Sequence, residues 1–375
     1  MGVAGQNIGL GVSLVCALIL IWKSGPKLLI DAVKSTSARH FLILWLLYVA
    51  PILISTLTHG RTHDASRLFW GHLFLAVIPV FGVLTRNFRF PNWLENFVRF
   101  VIIVFGFVAL SQMIWLWKLE GGHVVDSIRR AQGFYSHPLT FAYVLLFFMP
   151  WTISSLMSQP RNAACWLTAV CLMIGVFSSL SATVIALMMG NVFFGILILL
   201  KGQTRVLALA ACLLGVVLVI ATPNPVSEKL TTVVMGERGD DETDFHDDRQ
   251  AFWAAHIEMF KDAPVLGHGT GLEAEDRASY YAKIGLPDIK RKYEAHNMYL
   301  QSAVEGGFIP ALALVSIILW LLKTIFVSNL KRDEKFYFAS TAIMFALAGI
   351  TQNAFQDSEV RYVFFGFIAL VLNKT

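Results

Sequence analysis

Long apolar runs separated by short polar segments follow one another along almost the whole chain. A membrane-spanning helix needs about 20 predominantly apolar residues to cross about 30 Å of hydrocarbon. Eleven runs fit that pattern, at roughly 7–22, 40–57, 68–84, 96–117, 138–157, 163–180, 182–200, 204–221, 300–327, 336–352 and 358–373. The pattern therefore predicts an all-α polytopic membrane protein.

The positive charges predict how the chain is oriented in the membrane. Every second loop is basic, and these loops contain Lys23 to Arg39, Arg86 and Arg89, Arg161, Lys201 and Arg205, and Lys331 to Lys335. Cytoplasmic loops carry an excess of Lys and Arg, so we expect these loops inside and the N-terminus outside. The chain has a net charge of +5, which this topology explains without a nucleic-acid partner.

One outward-facing segment is much longer than a connector. It divides the chain into N-terminal spans at 1–221, a periplasmic loop domain at 222–298 and C-terminal spans at 299–375. Residues 223–296 hold nine Lys and Arg against fifteen Asp and Glu, so this part is acidic while the rest is basic. Loops of such length are usually functional or structured.

Within this segment, "DDRQAFWAAHIEMFKDAPVLGHGTG" predicts a helix followed by a turn. Arg249 lies at helical spacing from Trp253, His256 and Phe260, which places them on one face. The glycines that follow Pro264 end the helix and turn the chain back, and they are Gly267, Gly269 and Gly271.

A second polar group stands where the next apolar run begins. If a helix starts near Met298, His296 and Asn297 lie at its outer end. Two interpretations are open. Either residue would serve as a helix cap, or the pair is functional, as polar groups near the membrane interior often are.

Further polar residues belong to the predicted outer face. Arg130 precedes "AQGFYSHPLTFA", His137 opens a span, and Arg67 closes a basic cluster with His59, Arg61 and His63. Each alone is typical of an interfacial anchor. Together, arginines on one face would bind a phosphorylated lipid through bidentate hydrogen bonds.

In their order and loop placement these residues resemble the O-antigen ligase and polymerase superfamily of bacterial envelope glycosyltransferases, which is GT-C-like in architecture. The matching pieces are His296-Asn297 followed after nine residues by Gly307, the Arg249 helix ending in "PVLGHG", "RRAQGFYSHPLTFA", and "DSEV" before the last span. The sequence has no GxxxxGK[ST] phosphate loop, HExxH motif or GxSxG elbow, so ATP-driven and zinc-protease chemistry are not indicated.

The resemblance implies a lipopolysaccharide O-antigen ligase. Such an enzyme transfers a glycan from undecaprenyl diphosphate to the lipid A–core oligosaccharide at the periplasmic face of the inner membrane, with no metal or other cofactor and with inversion. His296 would act as general base, and Arg249 would bind the diphosphate. Asn297 would orient His296 or the substrate, and the remaining substrate-binding residues would be Arg130, Arg67, His137, Gly267 and Gly269.

The sequence departs from the family in two places. Where family members commonly carry an arginine in a short outer turn, this chain has Ser181 and Ala182, and we expect Arg130 or Arg67 to supply the missing contact. The family usually has twelve spans with the N-terminus inside, so the chain looks one span short at the front.

Three other functions stay open at this stage. An O-antigen polymerase would use a second lipid-linked glycan as acceptor, and a protein O-oligosaccharyltransferase would use Ser or Thr. A transporter of lipid-linked sugars is a different class. Transporters tend to have internal repeats and charged residues at mid-membrane, whereas this chain has its polar residues on one face. Neither the sugar, the linkage nor the oligomeric state follows from the sequence.

Overall fold

The structure is a computed structural model, and it describes residues 35–84, 92–119, 130–135, 137–221, 245–287, 294–353 and 358–375. The described residues form α-helices and loops, with no strand among them. The helices are α1 Thr36–Thr58, α2 Thr62–Leu84, α3 Asn92–Leu119, α4 Pro138–Ser158, α5 Ala163–Ser178, α6 Ala182–Leu199, α7 Gly202–Ala221, α8 Phe245–Asp262, α9 Ala274–Lys283, α10 Met298–Gly306, α11 Phe308–Val327, α12 Arg332–Thr351 and α13 Ser358–Lys374.

Five helices of the described part are long and apolar enough to cross a membrane. These are the segments Thr36–Thr58, Trp93–Trp115, Pro138–Ser158, Ala182–Leu199 and Phe308–Val327. Two shorter apolar helical stretches, Ala163–Ser178 and Gly202–Gly215, accompany them. The prediction of an all-α polytopic membrane protein is therefore confirmed.

The predicted spans coincide with helices wherever the structure describes them, with one correction. The run 300–327 is not a single helix, because the chain breaks at Gly307 (φ 77°) between α10 and α11. The span predicted at 7–22 lies outside the described residues. The tight turn predicted between the sixth and seventh spans is present, since α5 ends at Ser178 and α6 begins at Ala182.

The described helices belong to two compact units. The first contains α3 to α7 and the start of α12, up to Met344. Within it α5 packs on α3 and α4, and α6 packs on α4. A buried arginine, Arg99, forms an ion pair with Glu95 one turn earlier (2.5 Å) and lies over the ring of Trp151. Both contacts offset the cost of holding this charge away from water.

The second unit contains α1, α2, α8 to α11, the end of α12 and α13. Its helix pairs are α1 with α2 and α11, and α2 with α13. Aromatic side chains fill the space around α1. The ring of Trp45 lies edge-on to that of Phe365, with 4.7 Å between the ring centroids, and it stacks on the ring of Tyr48, with 5.1 Å between the centroids. The loop helices α8 and α9 form a smaller core with α10, and this part carries the predicted catalytic residues.

Candidate active site

Asn297 is the N-cap of α10. Its side-chain oxygen accepts hydrogen bonds from the backbone N–H groups of Tyr299 (3.0 Å) and Leu300 (3.1 Å), which would otherwise lack partners at the helix start. The residue before it, His296, is half-buried and has a backbone φ of 48°. Few residues with a side chain other than Asn, Asp and His adopt this left-handed conformation. The pair is thus held in a sharp turn directly before the helix.

The loop that follows α8 is bonded to the junction of α10 and α11. The backbone N–H of His268 donates to the carbonyl oxygen of Val304 (2.7 Å), and that of Gly269 donates to the carbonyl of Glu305 (2.9 Å). In return, the N–H of Phe308 donates to the carbonyl of Pro264 (2.9 Å). The "PVLGHG" stretch and the helix after His296-Asn297 are therefore one structure.

Two glycines permit this close approach. Gly307 has a φ of 77°, and a Cβ there would lie 2.1 Å from the carbonyl oxygen of Val265. Gly269 has a φ of 76°, and its Cβ would lie 2.8 Å from the Cα of Thr56. Side chains seldom tolerate this φ, and neither site has room for one.

The end of α1 and the turn to α2 hold the same loop from another side. Arg61 donates from Nη1 to the carbonyl of His268 (2.8 Å), and its Nη2 lies 3.3 Å from a carboxylate oxygen of Asp276. The N–H of Thr270 donates to the hydroxyl of Thr56 at 3.0 Å. Arg67, the arginine predicted from this cluster to bind substrate, is exposed on α2.

Helix α8 presents Arg249, Phe252 and His256 at intervals of three and four residues, so they share one side of the helix. Phe252 is fully buried, and its ring centroid lies 5.8 Å from that of His296 and 6.3 Å from that of Tyr281 on α9. Arg249 is half-buried one turn before Phe252. Phe252 therefore connects the helix that carries Arg249 to the imidazole of His296.

His256 is fully buried two turns after Arg249. Its Nδ1 lies 2.7 Å from the carbonyl oxygen of Phe252, so Nδ1 carries the proton and donates it. The pKa of His256 is lowered to about 4, mainly by burial; the hydrogen bond to the Phe252 carbonyl opposes this shift, and the charges of Arg277 and His296 add to it. The ring is therefore neutral at pH 7.

Hydrogen bonds between polar side chains hold the turn at 294–297, which precedes α10. The amide oxygen of Gln301 accepts from the N–H of Ala295 (3.1 Å), and its amide nitrogen donates to Glu305 (2.9 Å). Asn353 donates to the carboxylate of Glu294 at 2.9 Å. Sequence reasoning did not single out Gln301 and Glu305, although a Gln and a Glu four residues apart in an apolar run are a signal for buried polar contacts.

The other compact unit contains Arg130 and His137. Arg130 donates from Nε to the carbonyl of Ser179 (2.5 Å) in the turn between α5 and α6. His137 caps α4, since its Nδ1 accepts from the N–H of Leu139 at 3.2 Å. Partial burial, together with the charge of Arg130, lowers the pKa of His137. Because Nδ1 accepts a hydrogen bond and the pKa is lowered, the imidazole of His137 is neutral.

The turn where the family commonly carries arginine is closed by Ser181, whose hydroxyl accepts from the N–H of Val184 (3.5 Å) and caps α6. Arg130 is bonded to this same turn. The role of Arg130 in substrate binding stays a prediction. Among the predicted site residues, the structure groups His296, Asn297, Gly267 and Gly269 with the Arg249 helix.

Residues 167–316 match the family model described as O-antigen ligase. The matched segment contains the turn at Ser181, α8 with its loop, and α10. No curated protein matches the chain. The match covers less than half of the chain, and it shows that the segment 167–316, with the loop bonded to the helix after His296-Asn297, is similar to the O-antigen ligase family.

Proposed function

We propose that the protein is an O-antigen ligase that transfers a glycan from undecaprenyl diphosphate to the lipid A–core oligosaccharide. The observation that supports this most is the packing of the Arg249 helix and its loop against the His296-Asn297 turn. It brings a histidine able to act as a base into the same compact unit as an arginine able to bind phosphate.

The proposed reaction is a single displacement. A hydroxyl oxygen of the acceptor sugar attacks the anomeric carbon of the donor as His296 takes the hydroxyl proton. The bond between that carbon and the diphosphate oxygen breaks with its electron pair, and undecaprenyl diphosphate leaves. Arg249 stabilises the negative charge that develops on the leaving group. One displacement inverts the anomeric centre.

The position of His296 suits substrates that are held in a membrane. The apolar helix Phe308–Val327 begins twelve residues after His296, separated from it by the short helix α10. We propose that this site lies at the periplasmic face of the bacterial inner membrane, where both lipid substrates would present their sugars. Asn297 would orient His296, while Arg67, Arg130 and His137 would contact substrate.

The test is complementation of a deletion strain with His296→Asn at matched membrane abundance. Asparagine tolerates the left-handed backbone at this position but supplies no base. We expect capped lipopolysaccharide to disappear from the gel. His40→Asn is the matched control, because His40 is exposed on α1, and its ladder should equal that of the wild type.

The same gel distinguishes the acceptors. Loss of all capped forms supports ligation, whereas survival of single-repeat forms assigns the protein to polymerisation. A normal ladder from His296→Asn would overturn the catalytic role of His296. A normal ladder from the deletion strain itself would point to another acceptor, such as Ser or Thr on a protein.

A further inference from the structure

The turn that follows α8 exposes two large apolar side chains. Val265 and Leu266 are 58% and 56% exposed within the described part of the chain. Single exposed apolar residues are common on protein surfaces, whereas apolar residues that continue an apolar surface mark a site of interaction. The surface next to these two side chains therefore decides what they contact.

The start of α11 lies beside this turn. The N–H of Phe308 donates to the carbonyl oxygen of Pro264 at 2.9 Å, and the Val265 carbonyl lies so close to Gly307 that a Cβ there would be 2.1 Å from its oxygen. Phe308 is the first residue of a 20-residue apolar segment. Such a helix is long enough to cross about 30 Å of hydrocarbon. The turn is therefore level with one boundary of the hydrocarbon layer.

Helix α1 places the same loop at the same level. The N–H of Thr270 donates to the hydroxyl of Thr56 at 3.0 Å, and Thr56 lies in the last turn of the apolar segment Thr36–Thr58. Helices α1 and α11 pack on each other. The end of one span and the start of another thus both contact the loop that contains Val265 and Leu266.

The exposed side of α11 is a continuous apolar stripe. Its exposed apolar residues recur at intervals of three, four and seven, so they lie on one side of the helix; they are Phe308, Leu312, Val315, Leu319 and Phe326. On a membrane-spanning helix such a side faces lipid. Phe308 begins this stripe, and its N–H is the one bonded to Pro264. Val265 and Leu266 extend the apolar surface beyond the end of the helix.

We propose that Val265 and Leu266 insert into the membrane beside the start of α11 and anchor the loop domain to lipid. Insertion removes their apolar surface from water. The turn also suits an apolar medium, where backbone polar groups need partners. Pro264 has no N–H, its carbonyl accepts from Phe308, and the N–H of Gly267 donates to the carbonyl of Ala263 at 2.9 Å.

Charged residues limit how deep the turn goes. Lys261 and Asp262, at the end of α8, form ion pairs with Glu258 (2.6 Å) and Lys283 (2.8 Å). These exposed pairs belong in water, so only the tip of the turn enters the boundary between headgroups and acyl chains. The anchoring requires only that α1 and α11 span a membrane, and it does not depend on the proposed transfer reaction.

The test measures the depth of a fluorophore attached to the turn. Full-length protein, with Cys16, Cys165, Cys171 and Cys212 replaced by alanine, receives one cysteine, is labelled with an environment-sensitive dye and is reconstituted into liposomes. The lipids carry a nitroxide quencher either near the headgroup or near the middle of the acyl chain. Leu266→Cys tests the turn. Leu312→Cys, on the lipid-facing stripe, is the control within the membrane, and Ser279→Cys, exposed on α9, is the control in water.

We expect the dye at Leu266→Cys to lose fluorescence with both lipids, and to lose more with the quencher near the headgroup. The dye at Leu312→Cys should be quenched as well, and the dye at Ser279→Cys should not. If the dye at Leu266→Cys is as little quenched as that at Ser279→Cys, the turn lies in water and the proposal is overturned; the apolar surface would then be open to another protein. Val265→Cys gives the same comparison if Leu266→Cys does not accumulate.

Discussion

The backbone N–H of His268 donates a 2.7 Å hydrogen bond to the carbonyl oxygen of Val304. This bond joins the loop after α8 to the helix that Asn297 caps. Because both partners are main-chain atoms, the contact depends on backbone shape and not on the side chain at either position. The glycines that give the loop its shape are therefore the most sensitive positions to change.

Gly307→Ala should separate the loop from α10 and α11. The added methyl would meet the carbonyl oxygen of Val265 at 2.1 Å, and relief requires the backbone to move. Gly285→Ala is the matched control, with a φ of 80° and no atom within 4 Å of the added Cβ. Both variants place a Cβ on a residue with positive φ, which side chains seldom tolerate.

We expect Gly307→Ala to lose about 3 kcal/mol or more of unfolding free energy beyond the control, together with transfer activity. Thermal unfolding of the detergent-solubilised protein measures this difference. Equal melting temperatures for the two variants would contradict the tight packing at Gly307.

Substitutions at Asn297 should distinguish its role as a helix cap from its proposed role in orienting His296 or the substrate. Asn297→Ala removes the cap and should cost about 1 kcal/mol of stability, while Asn297→Asp keeps an oxygen for the amides of Tyr299 and Leu300. If the free amide nitrogen of Asn297 orients His296 or the substrate, Asn297→Asp will be stable and poorly active. Asn162→Ala, which removes the cap of α5, is the control for stability loss alone. Full activity in Asn297→Asp would reduce Asn297 to a cap.

Arg61→Met should loosen the loop 263–273 without unfolding the helices. The substitution removes the hydrogen bond to the His268 carbonyl and the ion pair with Asp276. Amide hydrogen exchange should become faster in this loop, by about tenfold for a loss of about 1.4 kcal/mol. Arg39→Met, at an exposed position of α1, should leave exchange in the loop unchanged. Unaltered exchange in Arg61→Met would show that the other contacts suffice to hold the loop.

His256 should make the protein sensitive to acid. Its folded pKa of about 4 lies below the ordinary value of 6.5, so the unfolded state binds the extra proton first. The stabilisation is complete above pH 6.5 and is lost as the pH falls toward 4, by roughly 3 kcal/mol in all. Unfolding of wild type and His256→Gln across this range measures the difference. A stability difference that does not change with pH would contradict a neutral buried ring.

The helices around Arg249 and after Asn297 were predictable from the sequence because their signals are local. Arg249, Trp253 and His256 fall at helical spacing, and Pro264 with the following glycines marks the end of α8. Asn297 is a strong helix N-cap residue by type. Each of these signals is carried by residues within one or two turns of the feature that they specify.

The break at Gly307 and the role of Arg61 were not predictable in the same way. Gly307 stands in an apolar run, and only the carbonyl of Val265, far away in sequence, explains why the chain breaks there. Arg61 and Arg67 belong to the same basic cluster, and no local signal in the sequence shows which of them holds the loop after α8. The contact of Arg61 with the His268 carbonyl distinguishes them, and that contact is tertiary.

The anchoring of the loop by Thr56 and Arg61 also bears on how the protein folds. Arg61 and His268 are 207 positions apart in the chain, and Thr56 and Thr270 are 214 apart. Closing so long a stretch costs entropy before any contact is gained, so such pairings form late and slowly. The contacts of Thr56 and Arg61 with the loop form only once the second half of the chain is present. A fragment limited to 167–316 would contain His296 and this loop but neither Thr56 nor Arg61.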